Sequence, residues 1–485
     1  MAGVRARRLN VPLRRVAQSC AVMLFLLLGH VTVIQAFGSH VLNADRRNQR
    51  PLIDRFDDPR GDILTHDGTV IATSEATGTG PYLYRRVYPG GPSYAAVTGH
   101  LSLNSATGVE AVEDGLLSGE DPKVKVRSLV GDGGAGGADV RLTISERAQE
   151  AAYRGLESAG RPGAAVAINP STGAVLALAT YPSYDPNELA VFDRDRVAQA
   201  ARRLRRDPAR PLLNRALNRL YPPGGTFKVV TTAAALASGE YGPTSYVRAP
   251  ARLRLPGTPA FLQNPGAAPC GNARPTLAYA FQTSCDTAFA AIGLQLGHDI
   301  LRDQAEAFGF NAHGLTIPLA TTASTYPVSL DRPQTALAAI GHQDNLATPL
   351  MIAMLSAAVA NDGVLMRPYL VEDVRLPDGS LIGRANPAPY RTAVPPMLAR
   401  YLAAMMTTVT HAGGTGTAAA IPGVEVAAKT AVTDVVAGTE EPALVTAFAP
   451  AETPQVAVGV VLERAGPQSP AAVPIARAVL QAAMT

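Results

Sequence analysis

The first strong pattern along the chain is a largely apolar run over 16–37, preceded by Arg5, Arg7, Arg8, Arg14 and Arg15. A run of that length crosses a bilayer as a helix, and flanking arginines hold the preceding end in the cytoplasm. A cleaved signal peptide is the competing reading, but Ile34-Gln35-Ala36 puts a bulky residue where a small-x-small cleavage site needs a small one. The expectation is a cytoplasmic tail over 1–15, an uncleaved anchor over 16–37, and nearly all of the chain outside the cytoplasm. Beyond the anchor, polar residues over 43–50 predict a short stalk. Turn residues then alternate with short apolar strands around Ile63 and Val70, and no helical period settles before 108–117. Ser145 reads as the cap of a following helix. Apolar runs over 164–168 and 174–178, separated by a Pro-Ser-Thr-Gly turn, predict a β-hairpin. From 226 to about 363 the spacing is mainly helical, with helices expected over 226–238, 276–296 and 349–361. Strands return over 424–435, 444–448 and 456–462, and a closing helix is expected over 471–483. Early strands, a helical middle and late strands predict an α+β fold, one antiparallel sheet with helices on its faces.

Composition adds compartment and chemistry. With 47% hydrophobic and 17% charged residues the 485-residue chain is globular and long enough for two domains. A net charge of +4 gives no reason to expect nucleic acid as a partner. Only four of the 43 basic residues are lysine: Lys123, Lys125, Lys228 and Lys429. Lysine can give up its proton where arginine cannot, so Lys228 and Lys429 stand out in a chain that otherwise uses arginine. Of the three cysteines, Cys20 falls in the apolar run. Cys270 and Cys285 fall in an oxidising compartment, where a disulfide is expected and two separate buried thiols are the alternative. The eight histidines show no H-E-x-x-H spacing, no two-cysteine metal pair exists, and neither a P-loop nor a G-x-S-x-G elbow is present, so no metal or cofactor is expected. Gly131-x-Gly133-x-x-Gly136 imitates a dinucleotide fingerprint, but a strand rather than a helix is expected after it, and we reject it.

The remaining chemistry lies in Tyr221-Pro-Pro-Gly-Gly-Thr-Phe-Lys228. Together with Arg60-Gly61-x-Ile63, Tyr88-Pro-Gly-Gly91, Asn169-Pro-x-Thr-Gly173, Tyr181-Pro-Ser-Tyr-Asp-Pro-Asn187, Ala347-Thr-Pro-Leu350 and Ala360-Asn-Asp-Gly363, in that order, it resembles the class B penicillin-binding proteins. These are membrane-anchored D,D-transpeptidases that cross-link peptidoglycan. The resemblance implies an N-terminal, mainly β pedestal over 38–158 and a transpeptidase-type domain over 159–485 with a five-stranded antiparallel sheet. It also implies three catalytic elements, and each is altered here. In Ser-x-x-Lys the lysine takes the serine's proton, but Gly225 stands at the serine position ahead of Lys228. Thr226 is turned about 100° from it on a helix and reads as a helix-start hydroxyl. Ser-x-Asn becomes Ser284-Cys285-Asp286, which keeps the proton-shuttling serine but exchanges a donating amide for a carboxylate that only accepts. Lys-Thr-Gly becomes Lys429-Thr430-Ala431, with the extra methyl on the lysine's side of the strand. Gly414-Thr-Gly-Thr417 has no lysine and reads as a loop. The expected function is therefore a non-catalytic homologue in cell-wall assembly. Its expected partners are the plasma membrane through 16–37, and stem peptides or other wall-synthesis proteins. A non-covalent stem-peptide or muropeptide sensor and an active D,D-transpeptidase with an unrecognised nucleophile are the alternatives. Asp286 is expected to pair with Lys228, Lys429 or both, favouring the protonated amines.

Overall fold

The computed structural model describes residues 3–33, 55–78, 80–130, 136–264, 269–431, 442–465 and 471–485. The expected stalk, the last residues of the expected anchor and Gly131-x-Gly133 lie outside them. Two compact units divide the chain, one over 1–58 with 77–84 and the other over 59–76 with 85–485. In the first, helix α1 (Gly3–Val33) carries an apolar stretch, Leu13–Val33, long enough at 21 residues to cross a membrane. Among the described residues no other helix passes that test.

The second unit begins with strands β1 (Ile63–Leu64), β2 (Val70–Ala76), β3 (Tyr84–Val87) and β4 (Asp139–Leu142). Helix α2 (Glu146–Ala159) follows, with Ser145 at its cap position as expected, but the Ser145 side chain makes no capping bond. Asp67, far away in sequence, accepts from the Glu146 N–H at 2.8 Å instead. A tertiary carboxylate has taken the place of a local hydroxyl at a helix start that favours negative charge. Next come β5 (Gly163–Ile168), β6 (Val175–Tyr181) and helix α3 (Arg194–Arg206), then α4 (Lys228–Ala237), α5 (Leu277–Gln282), α6 (Asp286–Leu296) and α7 (Pro349–Ala360). The last part supplies β7 (Val371–Arg375), β8 (Leu381–Arg384), α8 (Pro396–Thr408), β9 (Ala427–Ala431), β10 (Ala443–Ala449), β11 (Val456–Leu462) and α9 (Ala472–Ala483).

Five strands form an antiparallel sheet in the order β9-β10-β11-β5-β6, which leaves β9 at an edge. Its strands read as continuous apolar runs because both faces are covered. Ala164, Val166 and Ile168 of β5 join the core that contains α7, while Ala165 and Ala167 join the core beneath α2 and α9. Helix α7, apolar except for Ser356, lies against β11, where a Cβ on Gly459 would stand 2.4 Å from the Ala353 nitrogen. Only glycine allows that approach. A second sheet, of order β8-β7-β4-β1-β2-β3, has six strands, and β7 and β8 return to it from within the later part of the chain.

Two expected helices differ from those observed. The helix expected over 226–238 begins as a 3-10 turn, Gly224–Phe227, before α4. The helix expected over 276–296 is broken into α5 and α6 by Ser284, whose φ of 59° is left-handed and ends helical hydrogen bonding. The strand expected over 424–435 is described as Ala427–Ala431, and residues 432–441 lie outside the description.

Candidate functional site

Three pieces of chain converge beside the free edge of the five-stranded sheet. The first is the tight turn that carries Gly225 and delivers Lys228 as the first residue of α4. The second is the break between α5 and α6, which carries Ser284 and starts α6 on Asp286. The third is β9, with Lys429, Thr430 and Ala431. All seven residues are buried. Cys270 and Cys285 are joined as a disulfide with Cα atoms 6.0 Å apart, which ties the second piece to the preceding loop.

Ser284 is the hub. Its Oγ lies 3.0 Å from Lys228 Nζ and 2.8 Å from Lys429 Nζ. Lys228 also donates to the Ser284 carbonyl at 2.7 Å and to Asp286 Oδ1 at 2.5 Å, so its three N–H bonds all have acceptors. Lys429 donates to the Thr430 carbonyl at 3.2 Å. Asp286 therefore pairs with Lys228, and no carboxylate pairs with Lys429 among the described residues. Burial, reinforced by the charge of Lys228, holds the Lys429 amine well below the usual lysine pKa, and Asp286 opposes this only in part. The expected pairing of Asp286 with one or both lysines is met on the Lys228 side of the hub, and its charge favours the protonated form of Lys429 only in part. The neighbouring His342 is likewise lowered, to about 4, by burial first, with Asp286 opposing and Lys228 adding to the shift.

Gly225 faces β9 closely. A Cβ built on it would stand 2.7 Å from the Thr430 carbonyl oxygen, 3.1 Å from Ala431 Cα and 3.3 Å from Ser284 Oγ. The next hydroxyl, Thr226, donates to the Pro223 carbonyl at 2.6 Å, away from Lys228. The loop over 414–417 has a contact that its sequence did not announce, since Thr415 Oγ1 meets Thr430 Oγ1 at 2.6 Å. A small glycine-flanked threonine ahead of the lysine strand was the available signal.

Chemically the cluster places one hydroxyl between two amines, and the Lys429 amine, lowered by burial, is placed to accept a proton through it. What it lacks is an oxygen or sulfur at 225 to receive an acyl group. A five-stranded sheet edged by a lysine-threonine strand, facing a helix that starts on a second lysine, is the frame of the penicillin-recognising transpeptidases. Residues 163–481 match the penicillin binding protein transpeptidase domain, and residues 60–136 match the penicillin binding protein A dimerisation domain. The chain is 42% identical to the peptidoglycan D,D-transpeptidase PbpA of Mycolicibacterium smegmatis, over 98% of this chain and 99% of that protein. It is 40% identical to PbpA of Mycobacterium tuberculosis over the same shares. Among solved structures, the ceftriaxone acyl-enzyme complex of penicillin-binding protein A from M. tuberculosis superposes with a TM-score of 0.85 at 39% identity, covering 89% of this chain and 100% of that one. The D,D-transpeptidase domain of a peptidoglycan glycosyltransferase from Eggerthella lenta gives a TM-score of 0.77 at 33% identity, covering 88% and 98%. This chain belongs to the penicillin-binding protein family, as a class B member.

Proposed function

We propose that this chain is a non-catalytic penicillin-binding protein homologue that works in peptidoglycan assembly. It would be held in the plasma membrane by residues 16–37, with its N-terminus in the cytoplasm and a pedestal over 38–158 and a transpeptidase-type domain over 159–485 outside. Its partners would be peptidoglycan stem peptides or other wall-synthesis proteins. One observation carries the inactivity. Gly225 stands where the family places its serine, and the space for any side chain there is taken by the Thr430 carbonyl 2.7 Å from the Cβ position. Acylation needs a nucleophile beside a base, and this turn offers the base alone.

A second reading, an active enzyme with a displaced nucleophile, is favoured by Ser284, whose Oγ lies 2.8 Å from the weakly basic Lys429 amine. One experiment separates the two. The full-length protein is incubated with fluorescent penicillin and digested for mass spectrometry. No covalent adduct is expected; an adduct on Ser284 would replace the first reading by the second.

A further inference from the structure

Helix α3 stands apart electrostatically from the rest of the chain. Six of its 13 residues are arginine, against 43 basic residues in all 485. With six arginines and one aspartate it carries a formal charge of +5, more than the +4 of the whole protein. Its orientation is fixed by Val197 and Leu204, which are buried in a small core with Ala95, Tyr184 and Leu189. Every exposed residue of the helix is polar, and Arg194, Arg196, Arg202, Arg203, Arg205 and Arg206 are among them.

Of the nearby carboxylates, Asp195 lies in the first turn, at the opposite end of the helix from Arg202, Arg205 and Arg206, and the others are already engaged. Asp193 caps the helix by accepting from the N–H groups of Asp195 and Arg196. Glu188 pairs with Arg203. Asp207 accepts from the Ala209 N–H at 2.8 Å. Among the described residues Arg202, Arg205 and Arg206 have no acidic partner. They stand three and four residues apart, where like charges on a helix repel. The helix dipole offsets part of the charge of Arg205 and Arg206 in the last turn, but it is a partial charge set against several full ones. The fold thus maintains unmatched positive charge on a rigid face about 20 Å long.

We propose that this face binds a linear phosphate-rich polyanion. An anion with regularly spaced charges would relieve the repulsion along the helix, and guanidinium groups hold phosphate through paired donors. A water-side polymer fits better than a lipid surface. An interfacial helix must turn apolar residues toward the bilayer, and here the apolar side chains are spent inward. With the chain oriented as proposed above, the polymer lies on the outer side of the membrane. The surface is separate from the lysine cluster and does not depend on whether that cluster is catalytic.

The test uses the full-length protein in detergent micelles, with labelled long-chain inorganic polyphosphate as the probe, read by fluorescence anisotropy across a salt series. Wild type should bind with an affinity that falls steeply with salt. The triple variant Arg202→Gln/Arg205→Gln/Arg206→Gln, which keeps helix-forming side chains, should bind about ten-fold more weakly or worse and lose about two to three units of salt slope. A control triple at exposed arginines elsewhere, Arg248→Gln/Arg274→Gln/Arg332→Gln, should stay within about two-fold. The single variant Arg206→Gln should weaken binding about two- to three-fold and serves if the triple misfolds. No binding by wild type, or equal loss in both triples, would overturn the proposal. So would protection of residues 194–206 from hydrogen exchange in phosphatidylglycerol but not phosphatidylcholine nanodiscs without polyphosphate binding, which would mark the face as a lipid contact.

Discussion

In the six-stranded sheet region, Glu110 is fully buried and meets Arg60 at 3.0 Å on one oxygen and Arg86 on the other. Beside the edge of the five-stranded sheet, Asp286 meets Lys228, and Lys429 waits across the Ser284 hydroxyl. Each region thus buries one carboxylate among two basic side chains, yet the charges settle differently. Burial alone would raise the Glu110 pKa, but the charges of Arg86 and Arg60 and their hydrogen bonds outweigh it and hold the carboxyl below its usual value. Arginine cannot release its proton, so that cluster is fixed in its ionic form. In the second cluster burial acts on an amine that can yield, and Lys429 is pushed toward neutrality. Arg60 has a further partner in the part-exposed Asp114 at 2.8 Å, whereas Lys429 has no carboxylate partner among the described residues, so one joint is permanent and the other titratable.

Removing the acid from each cluster tests this most severely. Glu110→Gln removes the ion-pair partner of buried Arg86 and leaves Arg60 only the part-exposed Asp114 at 2.8 Å, and should cost about 3–5 kcal/mol in a denaturant titration. Because the Glu110 pKa is depressed, its contribution is present above the usual glutamate pKa and lost as pH falls through the folded value. Asp286→Asn should cost less, about 2 kcal/mol, since Lys228 can shed its proton where an arginine could not. Equal losses in the two variants would break the comparison.

A smaller effect is expected from crowding. Gly225→Ala adds one methyl 2.7 Å from the Thr430 carbonyl and should cost about 1–2 kcal/mol through displacement of β9. A melting temperature equal to wild type would mean that strand and turn separate freely. Smallest at neutral pH is Lys429→Met, expected within about 1 kcal/mol of wild type because the amine gains little from its burial. Its signature is in the pH profile. Between the depressed folded pKa of Lys429 and the ordinary lysine value, the unfolded chain binds one proton more than the native one. Wild-type stability should therefore rise with pH toward the ordinary lysine pKa, and Lys429→Met should lack this rise in melts at increasing pH.

Much of this architecture was readable from the chain because local pattern and tertiary need coincide. Val456–Leu462 is apolar throughout and becomes a strand covered on both faces. The three altered motifs are recognisable because their spacing survives, and the structure brings Gly225, Lys228, Ser284, Asp286 and Lys429 together. What stayed hidden depends on contacts between distant segments. Apolar residues such as Phe281 and Phe289 continue on either side of Ser284, so periodicity alone did not reveal the break there. The Asp67 cap on α2 and the return of β7 and β8 to the second sheet are long-range partnerships with no local signature. Nor could composition say which lysine Asp286 would choose, since that is decided by side-chain distances within one cluster.

The closeness of Gly225 to β9 also bears on what position 225 can hold. Acyl transfer at this position would call for a serine at 225. In this structure that serine would enter a space whose nearest neighbours are backbone atoms, the Thr430 oxygen and Ala431 Cα. Backbone yields less readily than a flexible side chain, so a serine there would act on the strand before it acted as a nucleophile. Packing thereby couples the choice of residue at 225 to the position of the edge strand, so a side chain added there would be read first in the spacing between turn and β9.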